Sequence, residues 1–201
     1  MRHRILIAAA YAACLLNGTA FAAEKLLQNM PLKWSPTQTM AEMGTIDVSG
    51  ALLTTRVRVD AFADNRDNKE TIAENREKAD KIRPVTTSDN VAAFVTDHLR
   101  ESLHKAGMNT VDGAGDISIS GEVRRFFVTE TNLYRGDVSL LVHVKNGAGK
   151  EIWSGVIEGG AEHFGRSYKA ENYSETVSDM ILRAAYNLLA NKGFHDAVLG
   201  H

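Results

Sequence analysis

Chemistry in a protein needs nucleophiles, acid–base pairs, metal ligands or phosphate cradles, and this 201-residue chain offers a few places to look for each. Gly147-Ala148-Gly149-Lys150 joins glycine to lysine, the combination that wraps phosphates. A P-loop also needs a glycine five residues before the Gly-Lys pair and a Ser or Thr after it. Those positions hold Val144 and Glu151, so the stretch reads as a hairpin turn. His98, Glu101 and His104 are spaced by three, which suggests metal ligation on a helix, but residues six apart diverge by roughly 120° around the axis. Asp64-x-Arg66-x-Asn68 resembles the start of a calcium loop. Arg66 puts a positive charge at a ligand position, Lys69 stands where the turn glycine belongs, and Asn75 replaces the closing glutamate. His143 and His163, with Glu130, Glu158 or Glu162, can form a general acid–base pair in space or stand as solvated strand ends. No Gly-x-Ser-x-Gly elbow occurs. The expectation is therefore no catalytic, cofactor or metal site, and not an enzyme.

The elements that must position these residues centre on 116–161. Apolar side chains recur there at every second position, at Ile117, Ile119 and Val123, then at Val138, Leu140, Val142 and Val144, the period of strands with one buried face. Asn and Gly at 132–136 and 146–149 supply the reversals, and a three-stranded antiparallel meander follows. Phe126-Phe127-Val128 breaks the alternation, which either a β-bulge or a switch from a one-sided to a two-sided buried strand explains. Its aromatics either pack in the core or line an apolar groove. A helix capped by Ser88 or Asp89 runs to Lys105 with Val91, Phe94, Val95, Leu99 and Leu103 on one face, and Gly107 closes it. A second helix, about 173–191, carries Tyr173, Val177, Met180, Ile181, Ala184 and Leu188 along one side.

Alternating Leu53, Val57 and Val59 predict a strand over 51–60. The polar run 64–83 reads as a long exposed loop. Residues 23–48 read as an N-terminal arm in which Met30, Leu32, Trp34, Met40 and Met43 either pack along the domain or bind a partner. The predicted fold is α+β: an antiparallel sheet of one N-terminal strand plus the meander, with two helices packed on one face. Residues 49–192 form the single domain and 193–201 a short C-terminal tail.

The address is read from the first residues. Arg2 and Arg4 precede an apolar run from Ile5 to Leu16, and Ala20-Phe21-Ala22 supplies small residues before a cut, so 1–22 reads as a secretory signal cleaved after Ala22. Cys14, the one cysteine, is either part of that removed peptide or the lipid-bearing residue of an outer-membrane lipoprotein. Losing Arg2 and Arg4 from 23 basic residues leaves 21 against 25 acidic ones, a net charge of about −4. That balance argues against a general nucleic-acid binder. No second apolar span long enough to cross a bilayer follows.

The ordered set RVRVDAFADNRDN, a charged loop, a helix ending HLRESLHKAG, then ISGEVRRFF, VSLLVHVKNGAGKEIWSG and a final helix resembles the YajG-type family of bacterial envelope lipoproteins over about residues 50–190. The resemblance implies an α+β domain held in the envelope, with no established catalytic activity and no active-site residues to carry over. The departure is at Tyr11-Ala12-Ala13-Cys14, where Tyr11 replaces the aliphatic residue of a lipobox. The expected function is a non-catalytic periplasmic or membrane-associated protein that binds an envelope protein or lipid component. The alternatives are an auxiliary component of an envelope lipid or ABC-type transport system and a small periplasmic hydrolase built on His163. Recognition is expected in the 64–83 loop and the arm, and stability in the helix–sheet core.

Overall fold

A computed structural model describes residues 27–200, apart from Asp47, Ser49, Ala79 and Arg166. The predicted signal 1–22, its cleavage site and Cys14 lie outside the described residues. In chain order the elements are α1 (Met40–Met43), α2 (Ala51–Thr54), β1 (Val57–Val59), β2 (Ala63–Asp64), β3 (Thr71–Lys78), β4 (Lys81–Thr86), α3 (Val91–Lys105), β5 (Ile117–Glu130), β6 (Leu133–Asn146), β7 (Glu151–Phe164), α4 (Ala170–Leu189) and α5 (Lys192–Leu199).

The meander is the backbone of the sheet. β5, β6 and β7 pair antiparallel over their full lengths, with Val123 opposite Leu140 and Leu140 opposite Ile157. Val138, Leu140, Val142 and Val144 point into the core, while Arg135, Asp137 and Lys145 face out. The expected bulge is present: the β5–β6 register slips between Val123 and Arg125. That slip turns Phe126 into the core and leaves Phe127 on the outer side, under the Arg125 guanidinium at 5.8 Å. The aromatic pair therefore does not line a groove.

The sheet differs from the predicted one in size and direction. It has seven strands and is mixed, with spatial order β4-β3-β5-β6-β7. β1, β2 and β3 follow one another along one edge of β5 as an interrupted parallel strand, placing Val57, Ala63 and Ala73 opposite Ile117, Glu122 and Val128. The predicted strand over 51–60 is a helical turn, α2, that buries Leu52, followed by the short β1. The predicted loop 64–83 contains the end of β2, all of β3 and the first half of β4. It escaped the alternation test because only Ile72, Ala73 and Asn75 of β3 are buried and its far half is exposed. Pro84 fits in β4 because that strand lies at the end of the sheet. The predicted tail carries α5, whose Phe194 and Val198 sit one turn apart in the core, with Phe194 edge-on to Trp153.

Among the described residues there are five helices, of which α3 and α4 are the two long ones predicted. α3 is capped by Asn90, whose Oδ1 accepts from Ala93 N at 3.0 Å, and buries Val91, Val95, Leu99 and Leu103. α4 crosses β6 and β7 at Gly136 and Gly159. A Cβ at Gly159 would run into the Met180 carbonyl oxygen and the Ala184 nitrogen, so glycine there sets how closely helix and sheet approach. One continuous core joins these layers, from Met30 in the arm to Phe194 in α5.

Candidate functional site

The arm is the part of the chain that decides which polar groups are buried. It enters beside β4, where Leu27 O accepts from Thr86 N at 3.1 Å and Met30 N donates to Thr86 O at 2.7 Å. Leu32 N then donates to Asp89 Oδ2, and the Trp34 ring stacks on His98, with centroids 4.2 Å apart and planes 5° from parallel. Beyond this the arm lies on α4, with Ser35 N donating to Ser178 Oγ at 2.8 Å. Thr37 donates twice to Asp179, from its backbone N at 2.8 Å and its Oγ1 at 2.5 Å. The arm covers the side of α4 that would otherwise face water. This explains why Ser174, Ser178 and Asp179 are buried on a helix whose opposite side, Thr176 included, meets the sheet.

Asp179 is the group this cover isolates most: its residue exposure is 0%. His163 of β7 reaches it from the sheet, with Nε2 2.9 Å from Asp179 Oδ2. That nitrogen makes no aligned hydrogen bond, so the approach is a close contact rather than an N–H···O bond. A histidine oriented by a buried carboxylate is two-thirds of a nucleophilic triad. The Thr37 hydroxyl, however, is spent on the carboxylate and not on the imidazole. Sequence reading had placed His163 with a neighbouring glutamate. The alternation of β7 prevents this: Glu162 projects to the outer face and pairs with Arg135 at 2.8 Å. Asp179 was readable as an acid embedded in the apolar stripe between Val177 and Met180.

A second buried carboxylate, Glu130, lies at the same end of the sheet, with Tyr134 of β6 paired between it and His163. It accepts from Tyr173 Oη at 2.5 Å and from Tyr168 N at 2.9 Å, and Tyr134 packs edge-on to Tyr173 at 5.0 Å. Burial, and then the Glu130 carboxylate, push the Tyr173 phenol well above its ordinary value. Tyr168 holds a left-handed φ of +46°, rare for a bulky residue, while its ring lies under the Arg83 guanidinium at 4.2 Å and its hydroxyl donates to Pro84 O.

The remaining sequence candidates are kept apart. Gly147-Ala148-Gly149-Lys150 is the β6–β7 turn, with Gly149 at φ +79° and Asn146 Oδ1 accepting from Ala148 N and Lys150 N. His98 Nδ1 lies 3.2 Å from Glu101, whereas His104 Nδ1 turns to Thr110 Oγ1, so the helical triplet does not converge. No group of three metal-ligating side chains occurs among the described residues. Asp64 and Arg66 form a two-pronged ion pair, at 2.9 and 2.8 Å, in place of a calcium loop. Burial raises the Asp64 pKa, but the Arg66 bonds outweigh it and hold the carboxyl below its usual range. His143 pairs with Glu151 at 2.7 Å, and that bond pulls the Glu151 carboxyl down. Glu158 faces out, with its backbone carbonyl accepting from Asn187 Nδ2.

No helix among the described residues is long and apolar enough to cross a membrane. No protein-family model matches the sequence, and no curated protein does. Solved structures resemble the chain at low identity. Protein XCC0632 from Xanthomonas campestris, described under the DUF330 family model, superposes with a TM-score of 0.50 at 10% identity, covering 82% of this chain and 89% of that one. Hypothetical protein CT253 from Chlamydia trachomatis gives 0.47 at 10% identity over 73% and 99%. A candidate lipoprotein from Caulobacter crescentus CB15 gives 0.45 at 10% identity over 64% and 92%. What the likeness to XCC0632 establishes is an overall fold shared with a bacterial protein of different sequence.

Proposed function

We propose that this chain is a non-catalytic protein of the bacterial envelope, YajG-like, exported by cleavage after Ala22, which binds a partner protein through the open edge of its sheet. The observation that supports this is β7. It is 14 residues long, it ends the strand order, and among the described residues only β6 pairs with it. An unpaired strand of this length offers a row of backbone donors and acceptors to an extended segment of another chain. Its outward side chains include Val156, half exposed, and Phe164, 88% exposed at the strand's end. The export signal and the resemblance to envelope lipoproteins supply the compartment. Recognition thus moves from the arm, which is packed into the domain, and the 64–83 segment, which is built into the sheet as β3 and the start of β4, to the opposite edge of the sheet.

The test is photo-crosslinking in the native envelope from an unnatural residue at Val156 or Phe164, with Lys78 on the β3–β4 hairpin as the comparison position. A discrete adduct from the β7 positions that is absent from Lys78 is expected. Adducts from Lys78 alone would overturn the assignment of the edge, and an intact mass that begins at Cys14 with added acyl groups would overturn the cleavage site.

A further inference from the structure

Between the arm and the two long helices lies a cavity of about 290 Å³, lined by Trp34, Pro36, Met40, Ser102, Lys105 and Leu182 among others. Its walls are mostly apolar side chains and its opening faces solvent past Lys105. At the roughly 30 Å³ that each water occupies in the liquid, it has room for about ten heavy atoms. Two features distinguish it from a packing defect. Ser102 is 2% exposed, lines the cavity, and its Oγ has no hydrogen-bond partner. A buried hydroxyl left unsatisfied is costly, and helical serines ordinarily bond back to the preceding turn, as Ser178 does to Ser174 O. Lys105 stands one turn along α3 on the same face, its ammonium held by Glu101 at 2.6 Å.

We propose that this cavity binds an aliphatic monocarboxylate of medium length, with the carboxylate between Ser102 Oγ and Lys105 Nζ and the chain against Trp34, Pro36, Met40 and Leu182. The chemistry follows from the lining. The hydroxyl supplies a donor with nothing else to serve, the Lys105 ammonium supplies charge, and beside the polar Gln38 and Thr39 the apolar side chains of the lining accept methylenes. The size limits the ligand to one short chain, excluding a two-chain lipid. In the free protein Glu101 occupies the cation that the ligand's carboxylate would take, so Glu101 competes with binding. This site is separate from the β7 edge and stands or falls independently of it.

Octanoate, which has ten heavy atoms, is the probe, titrated calorimetrically into the chain from residue 23 onward, with octanol and hexadecanoate as comparisons. Expected are saturable 1:1 binding of octanoate, weaker binding of octanol, and no improvement with hexadecanoate. Ser102→Ala and Lys105→Met should each weaken octanoate by roughly tenfold, the scale of a charge-assisted hydrogen bond. Glu101→Gln should tighten it, a direction that mere loss of structure does not produce. Ser102→Ala should also melt no lower than the wild type, because the hydroxyl it removes has no partner in the free protein. Octanol binding as tightly as octanoate, Glu101→Gln leaving affinity unchanged, or no saturable octanoate binding would each overturn the proposal.

Discussion

Replacing Arg66 with alanine is the sharpest test of how the 64–83 segment is built. Read as an exposed loop, that segment should tolerate the change within about 0.5 kcal/mol. The structure requires more. Arg66 is 6% exposed, donates to both Asp64 oxygens and to the Lys69 carbonyl at 2.8 Å, and lies over the Phe126 ring at 5.9 Å. Removing the guanidinium leaves a half-buried carboxylate and a carbonyl without their donor. At about 1.5–3 kcal/mol for a hydrogen bond to a charged group, tempered by the part of Asp64 that meets water, the expected loss is about 3 kcal/mol. For a domain of this size that lowers Tm by about 6–12 °C. The assay is urea unfolding of the wild type, Arg66→Ala, Asp64→Asn and the double variant, since the cycle isolates the pair. The pH dependence adds a second reading. The Asp64 carboxyl is depressed in the folded state, so its contribution is complete above about pH 4 and is lost as pH falls through the folded value. The gap between wild type and Arg66→Ala should therefore narrow below pH 4. A loss under 1 kcal/mol, or a coupling between positions 64 and 66 indistinguishable from zero, would refute the reasoning.

Four further outcomes are expected. Gly159→Ala forces α4 off the sheet and should cost at least 1–3 kcal/mol in a chemical melt, although it adds one methyl to a strand. Leu99→Ala and Ile181→Ala, both fully buried, should each cost about 2–5 kcal/mol by the same measurement. Thr37→Val removes one of the donors to Asp179 and should cost about 1.5–3 kcal/mol, with faster amide exchange over residues 33–39 as the local signature. Tyr173, raised in the folded state, contributes stability that is complete below its unfolded pKa of about 10 and is lost as pH rises beyond it. Urea melts at pH 9 and 11 should show that loss, and Tyr173→Phe should reduce it.

The long, regularly alternating strands and the two long helices were legible because each has a single buried face and a repeat long enough to count. β5 to β7 fall within a few residues of the predicted 116–161. The parts that sequence reading missed are those whose burial is set by something far away in the chain. β3 buries Ile72, Ala73 and Asn75 and then runs past the end of β5 paired with β4 alone, so its composition is that of a loop. α5 was hidden by Gly193, which looks like a stop but sits on the second helical residue, close under the Trp153 indole. The pairing of His163 with Asp179 depends on where α4 crosses β7 and on the arm lying over both. No spacing within either segment encodes it. Ser102 was likewise invisible, since a serine on a helix announces nothing until the arm has closed over it.

The reach of the arm has a consequence for how the molecule assembles. Ser35 and Thr37 bond to residues 143 and 142 positions later, and β1 pairs with a strand 60 residues away. A chain synthesised N-terminus first therefore delivers the arm before any surface exists to receive it. Contacts this distant in sequence form slowly, because loop-closure entropy is lost before they reward it. The meander and its helices must come together first, with the polar side of α4 wetted, and the arm then closes as a last step that buries Asp179. Until that step the apolar residues of the arm, Met30 and Trp34 among them, are open to chaperones and to other nascent chains. Folding of this protein is timed by the arm finding its last long helix.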